Sequence, residues 1–249
     1  MDEVPLHPTF RPETPGGAAL APGELHVWAV PLCGGNDGYA TLLTPAEQER
    51  AARFRVADHR RRFAISHGAL RAILAGYLGV DALALEFGTG PRGKPTLLAD
   101  GGPQFNLSHS ALLALVAIGH GPALGVDLEK VRHLESLREI AGRHFSRSEF
   151  AALEGLPDAQ RLTAFYRCWT RKEAYVKAIG TGLVTRLDSF TVTLTPGAPA
   201  RLQAPPRMDG GRPWTLTSLD TIPGYAAALV TAGDCDRIVH RPWPPHGGL

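Results

Sequence analysis

The stretch "YAAALVTAG" (225–233) nearly repeats "ALLALVAIG" (111–119). Each run is apolar but far too short to cross a membrane as a helix, and each has the length of a buried strand. Each follows a strand pattern, "PWTLTSL" (213–219) in one case and "FNLSHS" (105–110) in the other. Upstream of each lie a long helical pattern and a short strand. Two copies are too few for a solenoid and read as a duplicated unit. The expected fold is therefore α/β (α+β): two similar halves related by a pseudo-twofold, each a small antiparallel-rich sheet packed on a long helix.

Working outward, "LHVWAVPL" (25–32) alternates as a strand. "TPAEQERAARF" (44–54) opens a helix, with Thr44 as N-cap, Pro45 at the first helical position and Glu47 completing a capping box. A second helix is expected over 58–78, with Phe63, Ala69, Leu70, Ile73, Leu74 and Leu78 on its apolar stripe. "LALEFG" (83–88) reads as a short strand before the turn-rich "TGPRGKPTL" (89–97). After Gly119–Pro122 the pattern restarts: a strand in "ALGVDLEKV" (123–131), helices over 134–144 and 160–179, and strands in "SFTVTL" (189–194) and the two stretches already named. The expected units are a loosely ordered arm (1–20), an N-terminal half (21–122), a C-terminal half (123–235) and a tail (236–249). A cleft between two halves is the default place for a site.

The 249 residues are 44% apolar and carry a net charge of +2. That composition is globular, not disordered. Cys33, Cys168 and Cys235 form no CxxC pair and leave an odd count, which favours a reducing, cytoplasmic setting. The sequence shows neither a signal peptide nor a membrane span. Five arginines crowd into "RFRVADHRRR" (53–62).

In "GVDLEKV" (125–131), Asp127 and Glu129 lie two apart and share one face of the strand. Their repulsion is relieved by a bound cation, and an all-oxygen donor set suits Mg2+. A solvated edge strand that carries two acids is the plainer reading of these residues alone. In "CWTRKEAYVKAIGTGL" (168–183), Glu173 precedes Lys177 by four, on one helix face. Lys172 interrupts the apolar stripe of Phe165, Trp169, Val176 and Ile179. Read alone, Glu173 and Lys177 are an ion pair on an exposed face, and Lys172 snorkels along the core. Read with Asp127 and Glu129, Glu173 is a third carboxylate of a metal–phosphate site. Ser108 and His109 are, on their own, a polar turn as readily as a ligand set. Trp169 and Tyr175 read as packing residues, and His67 and His144 as surface histidines.

Taken in order, "GVDLEKV", "FSRSEF" (145–150) and "CWTRKEAYVKAIGTGL" resemble the signature of phosphopantetheinyl transferases. "GKPTL" (93–97), "FNLSHS" and "DSF" (188–190) resemble further motifs of the larger, Sfp-type branch, whose single chain is built as two fused halves. The resemblance spans about 45–232. It implies transfer of the phosphopantetheine arm of coenzyme A to a serine of an apo acyl or peptidyl carrier protein, in fatty-acid, polyketide or nonribosomal-peptide synthesis. Mg2+ is the implied cofactor, held by Asp127, Glu129 and Glu173. Lys172 and Lys177 fall where the family contacts phosphate, and Glu173 is also a base for the serine. Glu149 would support the metal or its water. Ser108, His109 and Lys94 match residues that meet the nucleotide. Arg50, Arg53 and Arg62 lie where the family gathers basic side chains, although Glu47 stands where a lysine is expected. The chain is expected to act as a monomer, with neither nucleic acid nor membrane as a partner. The competing readings are a Mg2+-dependent nucleotide pyrophosphatase and, from the arginine run, a nucleic-acid-binding module.

Overall fold

The computed structural model describes residues 19–33, 37–90, 92–121, 123–203, 211–219 and 222–243. Most of the expected N-terminal arm and the last residues of the expected tail lie outside this set. The first half runs β1 (Glu24–Pro31), α1 (Asp37–Ala40), α2 (Pro45–Ala52), α3 (Ala57–Leu78), β2 (Phe87–Thr89), β3 (Pro95–Leu97), β4 (Gln104–Ser110) and β5 (Leu113–Gly119). The second runs β6 (Leu124–Lys130), α4 (Leu137–His144), α5 (Arg147–Glu154), α6 (Asp158–Ile179), β7 (Thr191–Val192), β8 (Leu202–Gln203), β9 (Trp214–Ser218) and β10 (Tyr225–Ala232). A last strand, β11 (Arg237–Pro242), follows.

The duplication expected from the sequence is present in the strand order. The two larger sheets run β11-β1-β5-β4 and β6-β10-β9, so β1-β5-β4 and β6-β10-β9 repeat one antiparallel plan. The long helices α3 and α6 have 22 residues each. Each ends on a glycine in the left-handed region, Gly79 (φ 67°) and Gly180 (φ 69°), where a side chain would be strained. The short helices α2 and α5 each open on a complete capping box, Thr44–Glu47 and Ser146–Glu149.

Alternation along the strands builds the layers. Trp28, Val30, Val116 and Ile118 pack on Ile73 and Leu74 of α3. Ala228 and Val230 join Phe165 and Val176 of α6 in the second core. The opposite faces meet each other: Leu25, Val27, Leu115 and Ala117 lie in one cluster with Val126, Leu128 and Leu229. The halves are thus joined sheet to sheet with a helix outside each. Gly125 lets β6 approach α6 closely, because a Cβ there would stand 2.3 Å from Ala174 O and Ala178 N.

Three expectations need correction. The stretch 83–88 starts in a short 3-10 turn (Ala82–Ala84), capped by Asp81, and the strand begins only at Phe87. Residues 189–194 contribute only the two-residue β7. The expected tail contains β11, which pairs in parallel with β1, His26 opposite Val239. The first sheet is therefore completed by the far end of the chain.

Candidate active site

β6 carries the two acids on the face toward α6. Asp127 is buried, and its Oδ1 accepts hydrogen bonds from Lys177 Nζ (2.7 Å) and Ser108 Oγ (2.9 Å). Glu129 Oε2 accepts from Ser110 Oγ at 2.7 Å. Burial raises the Glu129 carboxyl above its ordinary value, and Asp127 adds to the shift against the Ser110 hydrogen bond. Glu173 on α6 is raised as well, first by burial, then by Asp127 and Glu129 against Lys177. The three carboxylates therefore feel one another. Among the described residues, no three Asp, Glu, His or Cys side chains close on a common point as a ready ligand cage.

The donor chemistry nevertheless fits a hard divalent cation that keeps waters and phosphate oxygens in its shell. Asp127 Oδ2 is buried without a hydrogen-bond partner. Such an orphaned oxygen is costly unless a ligand meets it. Lys177 spans Asp127 and Ser108 (Nζ to Ser108 Oγ 2.9 Å), so its ammonium neutralises the crowd on one side only. The expected surface pair between Glu173 and Lys177 is replaced by this contact.

Lys172 is placed elsewhere. Its side chain is fully buried and its ammonium contacts Glu149 Oε2 (2.8 Å), Leu187 O (2.7 Å) and Phe190 O (2.7 Å). These partners use its three N–H groups, so the structure corrects the expectation that it meets phosphate. Glu149 is equally committed: it accepts from the Ser146 and Val192 amides and from Lys172, which leaves it no reach to a metal. Lys94 likewise donates to Leu124 O (2.7 Å) and Ala178 O (3.3 Å). Burial lowers its amine to about 8.

The basic groups of the first half gather beside the acids. Lys177 and Arg62 lower His109, after burial. His67, read from sequence as a surface residue, stacks on Phe63 at 3.9 Å and faces Arg50 and His109. Burial, then Arg50, holds it down to about 4, so it is neutral at physiological pH. Arg50 is exposed and lies over the Phe63 ring at 5.2 Å. Arg53 is exposed and joins none of these contacts. Glu47, the acid in place of a lysine, serves its own helix cap and ion-pairs with buried Arg71 at 2.7 Å.

A cavity of about 720 Å³ opens between the halves. Lys94 and Asn106 line it from the first half, and Trp169, Glu173, Val176 and Lys177 from the second. Trp169 faces this space as well as the core, whereas Tyr175 is buried between Phe190 and Trp214, as a packing residue should be. Sequence reading missed Ser110 and Asn106. Both share one face of β4 with Ser108, a period-of-two pattern that could have revealed them.

The chain is similar to several known proteins. Residues 123–230 match the 4'-phosphopantetheinyl transferase superfamily. The 4'-phosphopantetheinyl transferase HetI of Nostoc sp. is 40% identical over 92% of this chain and 95% of its own length. The transferase Sfp of Bacillus subtilis is 28% identical over 79% of this chain and 85% of its own. A holo-(acyl-carrier-protein) synthase structure from Bacillus anthracis aligns at 20% identity and a TM-score of 0.38, over 45% of this chain and 96% of that one. On the strength of the full-length relationship to HetI, the chain belongs to the 4'-phosphopantetheinyl transferase superfamily.

Proposed function

We propose that the chain moves the phosphopantetheine arm of coenzyme A onto a serine hydroxyl of an apo carrier protein and releases adenosine 3',5'-bisphosphate. The observation that carries the detailed reading is the orphaned Asp127 Oδ2, whose carboxylate acts on the raised carboxyl of Glu173, a residue that lines the cavity walled by both halves. Asp127, Glu129 and Glu173 would hold Mg2+, which when bound neutralises charge on the pyrophosphate.

The chain's own residues do the rest. Glu173 takes the proton of the incoming serine, directly or through water. The serine oxygen bonds to the phosphorus of the arm as the bond from that phosphorus to the departing nucleotide oxygen breaks. Lys177 is held at Asp127 and stands within reach of the phosphate oxygens. Arg50, Arg62 and His109 receive the 3'-phosphate, a group remote from the chemistry whose binding energy positions the reacting centre. Lys94 borders the nucleotide side with its ammonium turned to the backbone. The cavity takes the flexible arm. The enzyme works as a monomer in the cytoplasm, where its three cysteines stay free thiols. Among the described residues, no helix is long and apolar enough to cross a membrane.

The test is intact-mass measurement of apo carrier proteins from fatty-acid, polyketide and nonribosomal-peptide systems, each incubated with the enzyme, coenzyme A and Mg2+. One arm added at the carrier serine, with adenosine 3',5'-bisphosphate released in equal amount, is the expected result. Nucleotide release without carrier modification would support the hydrolase reading instead.

A further inference from the structure

β4 and β6 are the facing edges of two different sheets, and they are joined through side chains. Asn106 Oδ1 accepts from the Val126 amide (2.8 Å), Ser108 Oγ from Leu128 (3.3 Å) and Ser110 Oγ from Lys130 (3.0 Å). Each acceptor lies twenty residues before its donor, so three alternate side chains of β4 run in register along β6. They satisfy edge amides that a neighbouring strand would otherwise take. The two serines also turn their protons onto the acids that alternate with those amides: Ser108 onto Asp127 and Ser110 onto Glu129. Each hydroxyl therefore spans a backbone amide and the preceding carboxylate of the same strand.

Asp127 has a second anchor in Lys177. Glu129 is held by the hydroxyl of Ser110. Ser110 itself is held at the start of a tight hairpin whose next residue, Ala111, has φ 50°. Ala111 is the one non-glycine with positive φ among the described residues. Such a conformation is sparsely populated for alanine and is kept by its surroundings.

We propose that Ser110 is a positioning residue for the transfer: by bridging the Lys130 amide and the Glu129 carboxylate, it fixes that carboxylate in the orientation in which it takes the divalent ion. The proposal rests on Glu129 being a metal ligand, and its test separates the two claims. Mn2+ serves as the probe. Its affinity for the full chain, with adenosine 3',5'-bisphosphate present, is measured by electron paramagnetic resonance for wild type, Ser110→Ala, Ser110→Thr and Glu129→Gln. Ser110→Ala should weaken Mn2+ binding by about 10–100-fold, the usual loss when a group orienting a metal ligand is removed. Ser110→Thr keeps the hydroxyl and should restore binding to within about threefold of wild type, which a general packing defect would not allow. If Ser110→Ala fails to fold, Ser110→Cys keeps the size with a weak donor and should show the same direction of loss. Wild-type Mn2+ affinity in Ser110→Ala or Ser110→Cys, alongside loss in Glu129→Gln, would overturn the positioning role. Unchanged affinity in Glu129→Gln would overturn the metal reading beneath it.

Discussion

Lys172 holds in the second half the place that Arg71 holds in the first. Arg71 pairs with Glu47 of the α2 capping box, donates to Ala82 O and Leu85 O, and lies 4.9 Å from the Phe87 ring. Lys172 pairs with Glu149 of the α5 capping box, donates to Leu187 O and Phe190 O, and lies 4.3 Å from the Phe190 ring. In both halves a buried cation on the long helix binds the short helix and the chain that follows the long one. Breaking such a pair leaves an uncompensated buried charge, at a cost of about 3–5 kcal/mol. Glu149→Gln and Lys172→Met should each lower unfolding stability on that scale in urea titrations. Combining them should recover part of the loss. The KM for coenzyme A of the folded protein should stay within about threefold, as each single change removes a strut and not a phosphate ligand.

Glu173→Gln should abolish transfer, with a loss of at least about 100-fold in kcat, and leave the fold intact. It removes one member of a crowded acidic group, so the metal-free protein should melt no lower than wild type. Circular dichroism melts and transfer assays on the same preparation check both halves of this expectation. A near wild-type rate at saturating Mg2+ would remove Glu173 from its roles as ligand and base.

Arg62 and His109 should read the 3'-phosphate. Wild type is expected to prefer coenzyme A over dephospho-coenzyme A. Replacing either residue by alanine should shrink that preference by about 1–3 kcal/mol, the scale of one charged hydrogen bond. The measurement is kcat/KM for both donors. Equal losses with both would return the arginine run to a solvated helix face.

His67 should make the protein acid-sensitive. Its folded value is about 4 against an ordinary 6.5, so between these values the unfolded chain holds more protons than the folded one. The stability this contributes is complete above about 6.5 and is lost as pH falls through about 4, by at most about 3 kcal/mol. Thermal melts of wild type and His67→Gln across this window should diverge, with the variant less sensitive. Parallel curves would show that burial does not set the charge of His67.

A monomer is expected at working concentrations, because both walls of the cavity come from one chain. Sedimentation analysis should give one species near the mass of 26.6 kDa, with specific activity unchanged on dilution. An obligate dimer or trimer that loses activity on dilution would contradict this.

Local signals read well from the sequence. Thr44 and Glu47 form the capping box their spacing announced, and α3 begins and ends within a residue of its expected bounds. The same S/T-x-x-E spacing stood at Ser146–Glu149, and α5 was not read from it. The repeat also explains why only one half carries the acids. Leu115 pairs with Ala29 and Leu229 with Val126, so alignment on those leucines sets Val30 and Leu32 against Asp127 and Glu129. Apolar side chains fill the first half where the second is acidic. What could not be read depended on distant partners. Nothing local told Lys172 from a phosphate ligand, since its fate turns on Glu149 and two remote carbonyls. Likewise the edge residues of β11 gain meaning only beside β1.

The parallel pairing of β11 with β1 has a consequence during synthesis. A nascent chain that has just emerged through β5 holds the helix and three strands of its first sheet, but not the strand that closes the β1 edge. Domains tend to fold from the N-terminus as the ribosome advances. Here the first half waits for β11, which follows the whole second half, and its open edge stays exposed to other chains meanwhile. Loss of β11 alone would therefore injure the part of the molecule made first.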